Sequence, residues 1–308
     1  RIEVASARVS QGEMEGVKKI TQWAAEKGYS DRVEVLGFVD TPASVDWLVE
    51  AGAKVMNLLT KGSLNHLTHQ LKKTPEQHFE DIHTCVNYAR SKGITVNVYL
   101  EDWSNGMRNS MDYTMELIGF LNEIRVRRIM LPDTLGLLHP REVSHFVKLI
   151  TTEFPDCHFD FHAHNDYDLG TANVMAALKA GAHGLHLTVN GMGERAGNAP
   201  LSSAIAVIND CMEDVETKVV EASLYSVSKL VETFSGLRIP ANKPIVGENV
   251  FTQTAGIHAD GDKKNNLYFS RLMPERFGRL RSYALGKTSG KANIENNLRE
   301  IGIELAPE

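Results

Sequence analysis

Short runs of β-branched and other apolar residues alternate along the chain with longer amphipathic stretches. The longer stretches predict helices, for example over residues 11–27 and 75–92, because their apolar side chains recur at helical spacing. Gly28, Gly52 and Gly93 each follow such a stretch, where a left-handed helix end favours glycine, and Gly181 does the same. The short runs predict seven strands, over residues 1–6, 32–38, 54–59, 94–101, 125–131, 158–164 and 184–189.

Strict alternation of strand and helix predicts parallel βαβ units. Seven strands are one fewer than a closed eight-stranded barrel contains, and the chain begins on a predicted strand without an initiator Met. We therefore expect an α/β fold, a (β/α)8 TIM barrel whose strand 1 is missing because the sequence is cut at its N-terminus. An open doubly wound sheet is the alternative, but no glycine-rich phosphate loop follows any predicted strand.

The pattern changes after about residue 212. A long helix is predicted over residues 213–234, loops over 236–247 and 258–270, and an arginine-rich stretch over 271–281. We expect residues 1–212 to form the barrel, strands 2–8. Residues 213–308 are expected to form a small, mostly helical subdomain and linker that covers the active site. No regulatory domain is expected within these residues.

Composition excludes several classes of protein. The net charge of −6 and the pI near 6.1 argue against nucleic-acid binding, which usually needs a basic surplus. No apolar run reaches the roughly 18 residues that a membrane helix needs, and no signal peptide opens the sequence. The three cysteines are widely spaced, as expected of free thiols. We therefore expect a cytoplasmic protein that binds neither membranes nor nucleic acid.

Candidate chemistry follows the ends of the predicted strands, where parallel barrels build their active sites. His162 and His164 alternate along one strand, so both face the barrel mouth and suit a divalent metal, or are hydrogen-bonded core histidines. Tyr99 and Glu101 share a strand face in the same way. Glu101 is either a solvated strand end or a carboxylate that holds a water or relays a proton.

Two further strand ends carry polar groups with two interpretations each. Thr134 follows its strand beside Asp133, and either binds a substrate carboxylate or helps to cap the next helix. Asn198 ends a loop with three glycines in seven residues, and either offers an amide oxygen to a metal or forms a turn.

Longer motifs around these residues carry a family resemblance over essentially the whole chain. The runs 162–166 (HAHND) and 188–198 (TVNGMGERAGN) resemble the signature of the isopropylmalate, homocitrate and citramalate synthase family. The runs 251–261 and 285–290 are similar to downstream motifs of that family. Its citramalate synthase branch is resembled most closely, through residues 36–40, 57–64, 99–105 and 260–268.

The resemblance implies a metal-dependent Claisen condensation of acetyl-CoA with a 2-oxo acid, here pyruvate, in a homodimer. It implies that a divalent metal (Zn, Mn or Mg) polarises the ketone, and that acetyl-CoA is the co-substrate. The implied catalytic residues are Glu101, His258, Asp260 and Tyr268. The implied metal ligands are His162, His164 and Asn198. The implied substrate-binding residues are Leu36, Leu59, Tyr99, Thr134, Asn266 and Leu267, of which the first three would crowd the alkyl end of pyruvate.

One departure from the family pattern bears on these implications. The family's first strand carries an Arg-Asp pair, in which Asp is a metal ligand, and that strand is absent here. Glu3 would face this arginine and lacks its partner. We expect the chain alone to bind metal weakly, because two histidines and an amide remain without the carboxylate. Other activities stay open: 2-isopropylmalate or homocitrate synthesis, a lyase resembling hydroxymethylglutaryl-CoA lyase, or a non-catalytic homologue.

Overall fold

The computed structural model describes residues 1–265 and 267–303, which form two compact units. The first unit contains Arg1–His186 and Gly193–Ala199. The second contains Leu187–Met192 and the chain from Pro200 onward. The proposed division at residue 212 falls within this second unit and stays a prediction. None of the helices in the described part of the chain is long and apolar enough to cross a membrane.

The first unit is built on one sheet of seven parallel strands arranged in chain order. Every predicted strand is present, so the predicted fold class is confirmed. The strands are β1 (Ile2–Ser6), β2 (Val33–Phe38), β3 (Val55–Lys61), β4 (Thr95–Glu101), β5 (Ile129–Asp133), β6 (Phe159–Ala163) and β7 (Gly184–His186).

Helices alternate with these strands, as the amphipathic stretches predict. They are α1 (Gln11–Glu26), α2 (Ala43–Glu50), α3 (Leu64–His66) with a following π-helical turn (Leu67–Leu71), α4 (Pro75–Ser91), α5 (Trp103–Asn109), α6 (Met111–Glu123), α7 (Pro140–Glu153) and α8 (Gly170–Lys179). The four predicted glycine helix ends are confirmed, since all four residues have positive φ angles between 72° and 104°.

The sheet of the first unit is strongly curled, which two contacts between distant strands demonstrate. Tyr99 on β4 bonds to His186 on β7, although β5 and β6 lie between them in the sheet. Arg128, just before β5, reaches Glu34 on β2 across β3 and β4. Side chains that alternate along each strand therefore meet in one interior, as in a barrel.

The predicted strand 125–131 begins too early. β5 starts at Ile129, because Arg125 has φ 54° and closes a turn after α6 in which its N–H bonds to the carbonyl of Asn122. The residue types before Ile129 do not by themselves exclude a strand. Only the turn at Arg125 shows that β5 begins later than predicted.

The regular elements of the second unit are mostly helices, and the unit has a small apolar core. Its elements are α9 (Leu201–Cys211), α10 (Leu224–Ser235), β8 (Thr252–Gln253), α11 (Gly256–Lys263), β9 (Ser282–Tyr283) and α12 (Lys291–Glu300). Ile205, Leu224, Val246 and Phe277 are buried together in the core, with Phe251 packed against it.

Two predictions for this unit are wrong. The helix predicted over 213–234 begins only at Leu224, after a short turn at Glu221–Ser223. Val219 and Val220 are exposed, so no packing offsets the low helix propensity of β-branched residues. The loop predicted over 258–270 instead contains part of α11. Gly256 lies against Gly290, where a Cβ would approach the backbone nitrogen of Gly290 to 2.7 Å. Gly256 therefore lets the start of α11 pack closely against the backbone at Gly290.

Two helical glycines should respond oppositely to alanine. A Cβ at Gly106 in α5 would lie 2.1 Å from the carbonyl oxygen of Gly62, whereas a Cβ at Gly16 in α1 would meet no atom within 4 Å. We expect Gly106→Ala to lower the free energy of unfolding by about 1–3 kcal/mol through overpacking. The control Gly16→Ala should raise it by roughly 0.5–1 kcal/mol. Urea unfolding measures both changes, and equal stabilities would contradict the close approach.

Candidate active site

Two histidines at the carboxyl end of β6 form the centre of the candidate site. His162 is the penultimate residue of β6 and His164 follows the strand, with their ring centroids 5.2 Å apart. An isolated antiparallel bridge joins His164 to Asn198, and the Asn198 side chain hydrogen-bonds to His162. The structure therefore brings together the three residues predicted as metal ligands.

Both imidazoles are neutral at neutral pH. Burial lowers the pKa of His162 to about 3, and the neighbouring His186 and His164 act in the same direction. Burial and then Arg195 lower the pKa of His164. Nδ1 of each ring is buried and has no hydrogen-bond partner among residues 1–265 and 267–303. Because a neutral imidazole offers a bare nitrogen to a cation, these two rings fit a divalent metal.

The donor set provides part of a coordination sphere. Within the described residues, no group of three or more His, Cys, Asp or Glu side chains is placed to hold a metal ion. Two imidazoles and the amide oxygen of Asn198 leave room for a carboxylate, water or substrate oxygens. Such mixed ligands suit Zn²⁺, Mn²⁺ or Mg²⁺, so the donor types fit the implied metal without selecting one.

The loop before Asn198 depends on glycine and one ion pair. Gly193 and Gly197 have positive φ angles, and a Cβ at Gly193 would lie 2.2 Å from Nδ2 of Asn198. Arg195 donates two hydrogen bonds of 2.8 Å to the carboxylate of Asp166 and one to the carbonyl of Thr134. Asp166 therefore anchors the loop, and the ion pair holds the pKa of its carboxyl below the ordinary value.

Glu101 has a close cationic partner that the sequence analysis did not identify. Lys61 at the end of β3 donates to Glu101, and the two residues are aligned in the register of β3 and β4. Lys61 is buried, whereas the carboxylate of Glu101 is a quarter exposed. The alternative of a freely solvated Glu101 is therefore wrong.

The three apolar residues predicted to face the substrate share the interior side of the sheet. Leu59 is directly aligned with Tyr99, and Leu36 lies on the same side of the neighbouring strand, next to Asn57. Leu36 and Leu59 are half-buried, and Tyr99 is buried with its ring edge toward His162 at 6.0 Å between ring centroids. These side chains thus line the same interior as the histidines.

Thr134 and Asp133 take different roles at the end of β5. The carboxylate of Asp133 accepts hydrogen bonds from the N–H groups of Leu137 and Leu138 at 2.9 and 3.0 Å, so it caps the turn that leads to α7. Thr134 Oγ1 accepts from the backbone N–H of Asp102 at 2.9 Å. The hydroxyl proton of Thr134 is still available to a ligand.

The remaining predicted residues lie in the second unit. The rings of His258 and Tyr268 are 4.2 Å apart, and Asp260 accepts a 2.6 Å hydrogen bond from Lys264. Leu267 is exposed. Asn266 lies outside the described residues. The predicted approach of these groups to acetyl-CoA stays a prediction.

Two protein-family models match this chain. A family model described as HMGL-like matches residues 1–231. The chain belongs to this HMGL-like family. A second model, described as homocitrate synthase post-HMGL domain-like, matches residues 245–308. The order of these two matches agrees with the resemblance found in the sequence motifs.

Two curated relatives and one solved structure show how far the HMGL-like likeness extends. The chain is 33% identical to a putative (R)-citramalate synthase of Methanopyrus kandleri over its whole length, and spans 59% of that protein. It is 34% identical to a probable 2-isopropylmalate synthase of Ignicoccus hospitalis, again over its whole length, and spans 75% of that protein. The fold resembles the HMG-CoA lyase of Bacillus subtilis, with a TM-score of 0.60, 21% identity, and coverage of 68% of this chain and 72% of that chain.

Several polar residues of this HMGL-like interior were not identified as site residues from the sequence. Lys61, Arg128, Asp160 and His186 are all on or next to strands and face the interior. A signal was present for Asp160, because it alternates with His162 and His164 along β6. His186 likewise occupies the end of β7. For Lys61 and Arg128, only the curl of the sheet in the structure shows that their side chains reach the interior.

Proposed function

We propose that the protein catalyses the metal-dependent condensation of acetyl-CoA with a 2-oxo acid, which is pyruvate. Water then hydrolyses the thioester of the condensation product, which gives citramalate and free CoA. The observation that carries this proposal is the pair of half-buried histidines, His162 and His164, at the carboxyl end of β6, whose Nδ1 atoms have no hydrogen-bond partner among the described residues. The Lys61–Glu101 pair ends two strands of the same sheet. Similarity over the whole of this chain to a putative (R)-citramalate synthase and a probable 2-isopropylmalate synthase supports the same reaction class. Such enzymes are acyltransferases that convert the acyl group to alkyl on transfer.

The proposed roles follow from donor type and position. His162, His164 and Asn198 hold the divalent metal, which polarises the ketone as a Lewis acid when bound. The Thr134 hydroxyl donates to the substrate carboxylate. Glu101, oriented by Lys61, positions water or moves a proton.

The second unit is proposed to serve acetyl-CoA. His258 and Asp260 provide the base that removes the methyl proton. Tyr268 and Leu267 are proposed to bind along the acetyl-CoA side, and the same role is proposed for Asn266, which lies outside the described residues. The protein is proposed to be a cytoplasmic homodimer. Analytical ultracentrifugation at several protein concentrations tests whether it forms a dimer.

Release of free CoA tests the reaction. The natural full-length protein should release CoA from acetyl-CoA when pyruvate and Mn²⁺ or Zn²⁺ are present. Release only with 2-oxoisovalerate or 2-oxoglutarate would keep the reaction type and replace the acceptor. No release with any acceptor would contradict the proposal and favour a lyase or a non-catalytic role.

Acceptor size provides a sharper prediction. Leu36, Leu59 and Tyr99 crowd the alkyl end of the acceptor, so pyruvate should exceed 2-oxoisovalerate in kcat/KM by about 10- to 200-fold. Leu59→Ala should reduce that ratio by about tenfold or more, because it opens space beside Tyr99. Leu64→Ala is the matched control, since Leu64 is exposed. A wild-type preference for 2-oxoisovalerate would contradict the choice of pyruvate.

The second candidate is 2-isopropylmalate synthesis from 2-oxoisovalerate. It is favoured by the 34% identity to the Ignicoccus hospitalis relative, which matches the identity to the citramalate synthase relative within one per cent. The same acceptor panel distinguishes the two activities.

A further inference from the structure

A buried set of hydrogen bonds connects three residues on three strands. The hydroxyl of Tyr99 on β4 lies 2.7 Å from Nδ1 of His186 on β7. On the other side of the same imidazole, Nε2 lies 3.4 Å from Oδ2 of Asp160 on β6. That oxygen also accepts a 2.6 Å hydrogen bond from Arg128. Asp160 and Arg128 are 2% and 5% exposed, whereas the His186 side chain is 19% exposed, so the Asp160 end of the set is shielded from water.

The partners of Asp160 fix the direction of each hydrogen bond. Asp160 faces the Arg128 guanidinium and is therefore a carboxylate that only accepts. Nε2 of His186 then carries the proton that it donates to Asp160, and in that tautomer Nδ1 is an acceptor. Tyr99 in turn donates its hydroxyl proton to Nδ1. One imidazole tautomer thus fixes the orientation of the phenol.

The Asp160 carboxylate occupies the space that a side chain at position 184 would need. A Cβ at Gly184 would lie 2.2 Å from Oδ1 of Asp160, so the position two residues before His186 must be glycine for Asp160 to keep its place. The Tyr99 and His186 rings meet edge to face at 5.3 Å, and each is nearly perpendicular to the ring of His162. Movement of His186 would therefore displace the Tyr99 ring.

We propose that His186, held by Asp160, is a positioning residue that fixes Tyr99 as a rigid wall of the acceptor site. His186 thereby sets the size of 2-oxo acid that is accepted, without contacting the reacting atoms. This inference rests on the proposed function, in which Tyr99 borders the alkyl group of the acceptor. Tyr99 limits acceptor size through its orientation as well as its bulk. That orientation depends on its hydrogen bond to His186 on β7, which is three strands away from β4 in the sheet.

A double-variant cycle tests the coupling. His186→Leu should reduce the kcat/KM preference for pyruvate over 2-oxobutanoate by about tenfold, chiefly through a higher KM for pyruvate. Tyr99→Phe should have a similar effect, and the double variant should show no further loss, because both changes break the same hydrogen bond. His186→Gln should restore most of the preference, since a carboxamide both donates and accepts. Additive effects, or no rescue by His186→Gln, would overturn the proposal.

A second measurement requires no activity. In ¹⁵N-histidine NMR spectra of the metal-free protein, the signals absent from His186→Leu identify His186. They should report a ring protonated on Nε2. A ring protonated on Nδ1 would overturn the proposal.

The two proposals fail in different ways. If the wild type does not condense acetyl-CoA with any of the 2-oxo acids, the proposed function is wrong. The role of His186 in setting acceptor size is then wrong with it. If the wild type is active and the cycle is additive, only the role of His186 is wrong.

Discussion

Replacing His164 with alanine is expected to reduce CoA release by about 100- to 1,000-fold. His164 contributes one of the two imidazoles whose buried Nδ1 atoms have no hydrogen-bond partner in the described part of the chain. Lewis-acid activation contributes several kcal/mol to a reaction, and each 1.4 kcal/mol or so changes the rate about tenfold. Loss of a ligand from a site with so few local donors should therefore remove most of the metal-dependent rate.

Stability should change little in the same variant. His164 is half-buried, and its removal leaves no new charge in the interior. Metal binding, measured by calorimetry with Mn²⁺ or Zn²⁺, should weaken in parallel with activity.

The matched control is His145→Ala. His145 is exposed on α7, and its ring lies 5.5 Å from that of Phe146. It should retain both metal binding and activity. Unchanged metal binding by His164→Ala would contradict the assignment of the metal ligands.

Arg128→Met is expected to lower the free energy of unfolding by about 3–5 kcal/mol. The Arg128 guanidinium bonds to Glu34 and Asp160, and all three residues are at least 95% buried. A methionine fills similar volume but removes the guanidinium from both carboxylates. Glu34 keeps only the longer contact to Arg1 at 3.6 Å, and Asp160 keeps only its contacts with His158 and His186. The cost arises from those poorly compensated charges more than from lost packing.

The deficit of Arg128→Met should shrink at low pH. Burial opposes ionisation of Asp160, but hydrogen bonds from His158 and His186, with the Arg128 charge, hold its pKa far below the ordinary value. In the wild type this stabilisation is present above the carboxyl's ordinary pKa and is lost as pH falls below it. The variant lacks much of that stabilisation at every pH, so the two unfolding free energies should converge in acid.

Urea unfolding from pH 7 down to about pH 2 measures this convergence, because that range extends below the ordinary pKa of an aspartate, about 3.9. Arg127→Met is the control, because Arg127 is adjacent in sequence and exposed, and should change stability by no more than about 0.5 kcal/mol. A difference between wild type and Arg128→Met that stays constant with pH would contradict the electrostatic explanation.

The sequence by itself determined the order of elements and part of the site. Strand alternation is a local property of the backbone, so the pattern of residues predicts that His162 and His164 face one side together. The same reasoning predicts that Tyr99 and Glu101 share a face. Glycine helix ends are equally local, because they depend on the φ angle of a single residue.

Tertiary structure alone decided which interior side chains meet. Glu34 and Arg128 are 94 residues apart, and Tyr99 and His186 are 87 residues apart. Their contacts depend on the register and curl of the sheet, which arise from packing between elements. Lys61 likewise became the partner of Glu101 through the alignment of β3 with β4. Helix α11 formed within a polar, glycine-containing stretch because Gly256 packs against Gly290, a contact that local propensity does not encode.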